Sequence, residues 1–423
     1  MVKYLLIDES YAIDIHNYLF NNSPIEELKF TMKTFSNIID KAWDSVVHYR
    51  RWLHENPELS GQEKNTASFI ADCLRKIGLN PKENVGGYGV TALIEGKCPG
   101  KCLGIRADFD ALSICEETGL PFASKNHGVF HACGHDMHAA MLLGVAQVLN
   151  EVRDQFSGSV KLIFQPSEEN ASDSGAKKMI SDGVLSDPPV DAILAQHVSP
   201  HYPTGTIALR TGAMTSSSDR FYIRINGKSS HGSEPDGGID AVVIGGHVIT
   251  ALQAIVSRTV SPQDSVVLSI GKVTGGSTYN IIADSFLMEG TCRTLSPAVQ
   301  DALPGRMESI IKGVTEGLGG TYSFSYVKGF SPTINDPQQF LLVRNNAQQV
   351  LGSDHVIIQE KASMVGEDFS FYGQKVPACF YWLGCRKPDA PFYPLHNSHF
   401  SPDEAAMRFG IEIMLSATLS YLG

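Results

Sequence analysis

The stretch His131-Ala-Cys-Gly-His-Asp-Met-His138 places three histidines, one cysteine and one aspartate within eight positions, directly before a long apolar helix pattern. Imidazole nitrogen and thiolate sulfur are the donors that borderline-soft divalent metals prefer. A loop that turns into a helix can hold such ligands rigidly. Each residue taken singly fits an ordinary cytosolic cysteine or a surface histidine. The cluster as a whole predicts a metal site.

The composition is that of a globular protein too long for one hydrophobic core. The chain has 423 residues, of which 43% are hydrophobic and 19% charged. Single cores usually stop growing at about 250–300 residues, so we expect two domains. The net charge of −11 argues against a nucleic-acid partner, because binding phosphates requires a basic surface.

Cysteine usage and hydropathy together predict a cytoplasmic protein with no membrane partner. The eight cysteines are scattered and do not form a disulfide framework. Cys98-Pro-Gly-Lys-Cys102 could be a metal clip, but no second pair follows at zinc-ribbon spacing, so we interpret it as a reduced surface turn. The apolar run at Tyr4–Ile7 is too short for a signal peptide, and no run of about 18 apolar residues is present.

Residues 41–213 alternate short apolar runs with helix patterns, which predicts an α/β domain with a largely parallel sheet. Ligands of such sheets gather beyond the carboxyl ends of the strands. Polar residues follow three predicted strands there: Asp110 after 102–107, Glu168 and Glu169 after 160–164, and His197 after 192–196.

The hydrophobic pattern changes over residues 214–328, where the predicted order of elements is β-α-β-β-α-β. This is the ferredoxin-like unit, and it looks inserted into a larger domain. The α/β pattern returns over residues 329–423, which contain Leu395-His-Asn397. Residues 1–40 suggest one or two helices and form a predicted N-terminal extension.

Five candidate donors fit two metal ions better than one, because one catalytic metal typically takes three protein ligands. The donors are Cys133, His135, Glu169, His197 and His396. Successive side chains leaving a strand point in different directions, so Glu169 could bind metal while Glu168 faces the water and moves its proton. The alternative for this pair is a solvated acidic turn. The thiolate favours zinc, and the remaining donors admit manganese, cobalt or nickel.

The chain resembles the metal-dependent amidohydrolases that include hippurate hydrolase, aminoacylase-type N-acyl-amino-acid hydrolases and plant auxin-conjugate hydrolases, a branch of the carboxypeptidase G superfamily. The matching motifs run in order from about residue 45 to the end. They are the opening stretch, Phe164-Gln-Pro-Ser-Glu-Glu169, Gln196-His-Val-Ser-Pro200, Arg106-Ala-Asp-Phe-Asp-Ala-Leu112, Gly275-Gly-Ser-Thr-Tyr-Asn280, Glu289-Gly-Thr-Cys-Arg-Thr294, Gly366-Glu-Asp-Phe369 and Leu395-His-Asn397.

The resemblance implies a di-metal, zinc-peptidase-like catalytic domain of the α/β class, interrupted by a ferredoxin-like lid that often dimerises. It implies a homodimer or higher homo-oligomer, with the five donors as ligands and Glu168 as the acid/base. It further implies that His231 stabilises the oxyanion, in related enzymes from the partner subunit, that Asn280 and Arg293 meet the substrate's carboxylate, and that Asp110 orients a ligand. Without the resemblance, His231 would be a surface histidine and Arg293 half of an ion pair.

Two departures from the family pattern bear on the substrate. Asn170–Gly175 replaces the usual glycine run after the glutamate pair, and Asp236 stands where a second lid histidine is usual. We expect hydrolysis of the amide bond of N-acyl amino acids (acetyl, benzoyl or similar) or small conjugates. The alternatives are a dipeptidase or exopeptidase on the same scaffold, and a metal-binding protein without catalysis.

Overall fold

A computed structural model of the chain describes residues 25–423, with side chains from residue 36. The predicted extension over residues 1–40 therefore lies largely outside the described residues. Within them, helix α1 spans Ile25–Glu55 and passes through position 40 without a break.

The elements that follow α1 in the first half are α2 (Lys64–Ile77), β1 (Lys82–Val85), β2 (Gly89–Glu95), β3 (Cys102–Asp108), α3 (His135–Glu151), β4 (Ser159–Gln165), α4 (Gly175–Ser181), β5 (Ala192–Pro203), β6 (Ile207–Leu209) and β7 (Gly212–Ala213). The second half contains β8 (Ser218–Asn226), α5 (Ala241–Ala254), β9 (Val266–Gly275), β10 (Ser285–Thr294), α6 (Pro297–Gly317), β11 (Thr321–Phe330), β12 (Ile334–Asn335), α7 (Pro337–Leu351), β13 (Val356–Ile358), α8 (Ser370–Gly373), β14 (Ala378–Arg386) and α9 (Ala406–Leu422).

The larger sheet has eight strands in the order β1-β2-β4-β3-β5-β14-β6-β13. Its centre, β4-β3-β5-β14, is parallel as predicted. The pairs β1-β2, β2-β4 and β14-β6 are antiparallel, so the complete sheet is mixed. The centre places the carboxyl ends of β3, β4 and β5 along one edge, where the polar residues that follow them converge.

Helices cover both faces of this sheet, which explains why its central strands are almost entirely buried. All seven positions of β3 are buried, as expected for a strand with no solvent-facing side. Helices α1, α2, α3, α7 and α9 pack on one face, and α4 and α8 pack on the other.

The four-stranded sheet has the order β11-β8-β10-β9, with all three strand pairs antiparallel. The predicted β-α-β-β-α-β order is confirmed by the elements between β8 and β11. Burial alternates along β8, because one face of the sheet packs against α5 and α6 while the other is exposed. The four-stranded sheet and these two helices together are called the lid below.

Three details differ from the sequence-based expectation. His197 does not end its strand, because β5 continues to Pro203 by pairing with β14. The strands β1, β6, β7, β12 and β13 were not predicted; each is only two to four residues long. All eight cysteines are free thiols, but Cys102 is buried in β3 and is not part of a surface turn.

One segment in the described part of the chain, Ala241–Thr259, is long and apolar enough to pass as a membrane span, with a mean hydropathy of 1.4 over an 18-residue window. It comprises α5 and the turn that follows. Ala241, Ile244, Val248 and Leu252 of this segment are buried in the core of the lid. A core helix of a soluble protein meets the same criterion.

Candidate metal centre

The loop before α3 places two candidate donors, Cys133 and His135, on either side of Gly134. Gly134 has a φ of +84°, which other residues rarely adopt. A Cβ atom at this position would lie 2.4 Å from Cγ2 of Val198. The tight turn, closed against β5, lets one side chain from the loop and one from the first helical residue point into the same space.

All five predicted donors lie together, in two groups that share Cys133. The first group is Cys133, His135 and His197, and the second is Cys133, Glu169 and His396. Within each group the candidate ligand atoms lie within 4.8 Å of one another. If divalent ions were bound, the Cys133 sulfur would be available to both groups.

His135 is oriented by the residue that was predicted to orient a ligand. Its Nδ1 lies 2.9 Å from the carbonyl oxygen of Asp110 and 3.2 Å from Oδ1 of the same residue. This leaves Nε2 of His135 buried without a hydrogen-bond partner. A neutral imidazole that donates from Nδ1 is a ligand at Nε2.

Glu169 and His396 approach each other from distant parts of the chain. Glu169 Oε1 lies 3.1 Å from Nε2 of His396 and 4.0 Å from Nε2 of His135, but it accepts no hydrogen bond. His396 has a φ of +65°, and its backbone N–H donates to the carbonyl of Ala132. The backbone N–H of Glu169 donates to Oδ2 of Asp110 at 3.0 Å. Unsatisfied buried nitrogen and oxygen atoms that face one another fit a divalent cation between them.

His197 completes the cluster from within β5. Its Nδ1 donates to the carbonyl of Val198 at 2.8 Å, and its Nε2 lies 3.4 Å from the Cys133 sulfur. The ring packs against Trp382 of β14, with ring centroids 5.3 Å apart. Nε2 is therefore directed at the other donors.

The two remaining histidines of the opening stretch do not join these groups. His138 uses both ring nitrogens, since Nδ1 lies 2.5 Å from Asp108 Oδ1 and Nε2 accepts the N–H of Val198. A further possible donor group, Asp108 with His135 and His138, is thereby already satisfied by its own hydrogen bonds. His131 is buried with both nitrogens unbonded, and burial lowers its pKa to about 4.

The electrostatic surroundings favour cations. Burial alone would lower the pKa of His135, but Asp108 and Asp110 outweigh it and raise that pKa to about 10. Burial, together with Glu169 and Glu168, raises the pKa of the Cys133 thiol. Divalent cations and protons compete for such groups, so metal binding at this cluster releases protons.

Glu168 stands beside the donors but is not bonded to them. Its carboxyl group is 5% exposed, and one of its oxygens lies within 4.8 Å of ligand atoms of His135 and Glu169. The preceding residue, Ser167, has a φ of +54°, which turns the chain sharply between β4 and this pair. Burial and the neighbouring carboxylates, Glu367 first among them, raise the pKa of Glu168.

Sequence reasoning assigned no role to a buried cluster next to Glu168. Arg106 there pairs with Asp108, Glu367 and Asp368 at 2.6, 3.0 and 2.8 Å. The motifs that contain these residues were recognisable, but their pairing across more than 250 positions is not visible in a sequence.

The residues predicted on the lid are not bonded to the donor cluster. His231 and Asn280 are neighbours, since His231 pairs with Ile281 and the N–H of Gly232 donates to the Asn280 carbonyl. Both side chains are exposed. Arg293, at the end of β10, lies 3.4 Å from the carbonyl of Met364.

Comparison with known proteins decides which family this is. The sequence model of the peptidase family M20/M25/M40 matches residues 104–420. The chain belongs to this family. It is 40% identical over 305 residues to an N-acyl-L-amino acid amidohydrolase of Geobacillus stearothermophilus, covering 72% of this chain and 82% of that one. It is 37% identical over 379 residues to an N-acetyl-L-cysteine deacetylase of Bacillus subtilis, covering 89% and 88%.

A solved member of the family has the same architecture. The YXEP protein of Bacillus subtilis, described as a dinuclear metal binding peptidase from the M20 family, superimposes with a TM-score of 0.78 and 34% identity, covering 90% of this chain and 98% of that one. The expected α/β di-metal fold and metal-dependent hydrolysis of amide bonds are confirmed for this M20 chain, whose clustered donors suit two divalent ions.

Proposed function

We propose that this M20 enzyme hydrolyses the amide bond of N-acyl amino acids, with Glu168 as the general base and acid. The observation that carries the proposal is the buried, unpaired carboxylate of Glu168 beside two ligand groups that share Cys133. The deacetylase and amidohydrolase relatives support the substrate class, since their names specify N-acetyl-L-cysteine and N-acyl-L-amino acids.

The proposed ligands are Cys133, His135, Glu169, His197 and His396. When bound, two divalent ions supply Lewis acidity, polarising the scissile carbonyl and lowering the pKa of a water molecule. Glu168 takes the proton of that water as it attacks, and then transfers the proton to the nitrogen of the departing amino acid. Burial and the neighbouring carboxylates raise the pKa of Glu168, which favours a carboxyl group that takes up a proton and returns it.

We assign the oxyanion contact to His231 and the substrate carboxylate to Asn280 and Arg293, on the basis of the family resemblance. His231 Nδ1 lies 2.7 Å from Ser233 Oγ. This contact uses Nδ1, so Nε2 is the nitrogen that would contact the oxyanion. The exposed position of His231 and Asn280 on the lid suits residues that act on a substrate held by another subunit. We therefore propose a homodimer formed through the lid.

The lid offers an edge for such a dimer. β9 is one of the two outer strands of its sheet, and outer strands readily add a further strand. Val273 on β9 is 50% exposed. Val242 and Val243 at the start of α5, and Ile281 between β9 and β10, are also exposed. We propose domain boundaries at 213/214 and 328/329, with the lid as the inserted unit.

The names of two relatives specify small-molecule amides as substrates. We also propose a cytoplasmic location for this enzyme. Eight free cysteines suit a reducing compartment. Fractionation of the cell, with recovery from a non-cytoplasmic fraction as the contrary outcome, tests the location. Metal analysis of protein purified without chelator identifies the ions among zinc, manganese, cobalt and nickel.

Substitution of Glu168 by Gln tests the acid/base role. We expect kcat to fall about 10²- to 10⁴-fold, the usual contribution of a positioned acid or base, with the bound metal unchanged. Glu169→Gln is the matched control, because loss of a ligand should lower metal content as well. Retained turnover in Glu168→Gln would exclude the role, and lost metal would make Glu168 a ligand.

A peptidase is the second candidate, since the YXEP structure is described as one. A panel of N-acetyl, N-benzoyl and longer N-acyl amino acids, measured beside dipeptides, separates the two functions. A higher kcat/KM for dipeptides would replace the proposed substrate class.

A further inference from the structure

Arg106 is a buried guanidinium whose three nitrogens all donate hydrogen bonds. The contacts are Nε to Gln165 Oε1 at 2.9 Å, Nη1 to Asp108 Oδ2 at 2.6 Å, and Nη2 to Glu367 Oε1 at 3.0 Å and Asp368 Oδ1 at 2.8 Å. Charge-assisted bonds of this kind are strong, and a buried guanidinium without partners would be costly.

Glu168 lies against the same partners but takes no part in this network. One carboxylate oxygen each from Glu168, Glu367 and Asp368 lies within 4.8 Å of the other two. Among the residues the structure describes, none donates a hydrogen bond to the Glu168 carboxylate or pairs with it. Glu168 is therefore the nearby acid that Arg106 does not hold.

Glu367 and Asp368 differ in how much else binds them. Asp368 also accepts hydrogen bonds from Gln165, Ser174 and the backbone N–H of Ala176. Glu367 has, besides Arg106, only the N–H of Phe369 at 2.9 Å among the described hydrogen bonds. Removal of Glu367 would thus free an N–H of Arg106 while leaving most of the network intact.

We propose that Glu367 is a positioning residue that occupies Arg106 and so keeps Glu168 free to act as the base. One carboxylate oxygen of Glu168 lies within 4.8 Å of one of Glu367, so loss of Glu367 leaves Glu168 as a neighbouring carboxylate for the freed N–H of Arg106. A salt bridge there would turn Glu168 away from His135 and Glu169 and hold its lone pairs on the guanidinium. The inference rests on the proposed role of Glu168.

The loop that carries Glu367 is itself fastened to the connection into the lid. Ser216, just before β8, donates from Oγ to the Met364 carbonyl at 2.8 Å and from its N–H to the Val365 carbonyl at 3.0 Å. Gly366 lies so close to the lid that a Cβ there would be 2.8 Å from the Phe330 ring. These contacts hold Glu367 at a defined distance from Arg106.

The test compares Glu367→Ala, which frees Arg106, with Glu367→Asp, which keeps a carboxylate. We expect Glu367→Ala to lower kcat about 10- to 100-fold, less than loss of the base itself, with KM and metal content unchanged. Glu367→Asp should restore most of the activity. Glu404→Gln is the matched control, because it removes a carboxylate that pairs with Arg50 and Arg51 and that is not part of the Arg106 network.

A double-variant cycle separates this role from a general structural one. In the Glu168→Gln background, Glu367→Ala should reduce the residual activity by less than about twofold, because both changes act on one group. Additive losses, or full activity of Glu367→Ala, would overturn the proposal. A crystal structure of Glu367→Ala should show Arg106 paired with Glu168, and a Glu168 carboxylate that still contacts no nitrogen of Arg106 would also overturn the proposal.

Two further outcomes are decided in advance. If Glu367→Ala does not fold, Glu367→Gln keeps the side-chain volume, and we expect it to lower kcat to a level between Glu367→Ala and wild type; wild-type kcat would overturn the proposal. If Glu168→Gln retains turnover, the proposed function fails first. If Glu367→Ala has wild-type kcat while Glu168→Gln is inactive, only the inference about Glu367 is refuted.

Discussion

Replacing Asp110 by Asn should weaken metal binding although Asp110 is not among the proposed ligands. Its carboxylate accepts from Ser60 Oγ at 2.7 Å and from the Glu169 N–H at 3.0 Å, and lies 3.2 Å from His135 Nδ1. An amide of the same shape has one oxygen and one NH₂ group. Turning the oxygen toward His135 points the NH₂ at the N–H of Glu169, so one of two ligands loses its support.

The expected magnitude follows from that count of contacts. Loss of a partner that orients a ligand typically costs 10- to 100-fold in metal affinity, which is about 1.4–2.7 kcal/mol. Because the backbone carbonyl of Asp110 also accepts from His135 at 2.9 Å, His135 keeps part of its orientation. We therefore expect a loss near the lower end, about 10- to 30-fold.

The assay is competition between the protein and a chromophoric chelator for zinc and, separately, for manganese. Asp191→Asn is the matched control, since Asp191 likewise accepts a backbone N–H, that of Cys102 at 2.7 Å, but at the opposite end of β3. Equal affinity of Asp110→Asn and wild type, within about twofold, would refute the argument that Asp110 supports the ligands.

Two further predictions concern stability and assembly. Burial alone would lower the pKa of His54, but Asp136 at 2.7 Å and Glu116 at 3.1 Å outweigh it and raise that pKa above 6.5. The stabilisation is complete below pH 6.5 and is lost as the pH rises through the raised pKa. The free energy of unfolding, measured in urea, should therefore fall as the pH rises over this range, and His54→Gln should reduce that fall. An equal pH dependence in His54→Gln and wild type would contradict this. Val273→Asp on β9 should convert a lid-mediated dimer to monomer in sedimentation, whereas Ile358→Asp, 51% exposed on the outer strand β13, should not; a monomeric wild type would exclude the dimer.

Local sequence was sufficient for the elements whose burial pattern repeats along the chain. The mainly apolar run of β3 predicted a strand covered on both faces, and the alternation of β8 predicted one covered on a single face; both are observed. Cys133 and His135 were predicted as donors from their residue types, and the structure brings the two together at the left-handed turn of Gly134. These properties depend on residues a few positions apart.

Short strands at the sheet edges were not predictable in this way. β6 and β13 have three residues each and exist because they pair with each other and because β6 also pairs with β14. Pairing with β14 likewise extends β5 beyond His197, which sequence periodicity placed at the strand end. Backbone hydrogen bonds to a distant partner decide these boundaries, and such partners leave no local pattern.

The opening stretch shows the division most clearly. By itself it predicted a metal site, because thiolate and imidazole at this spacing on a loop before a helix are a donor set. Which imidazoles are free was decided by the tertiary structure, since Asp108 and Val198 occupy both nitrogens of His138. The network that leaves Glu168 unpaired likewise joins Arg106 to Glu367. Donor chemistry is a property of residue type, whereas a free lone pair depends on every neighbour that folding brings within hydrogen-bond distance.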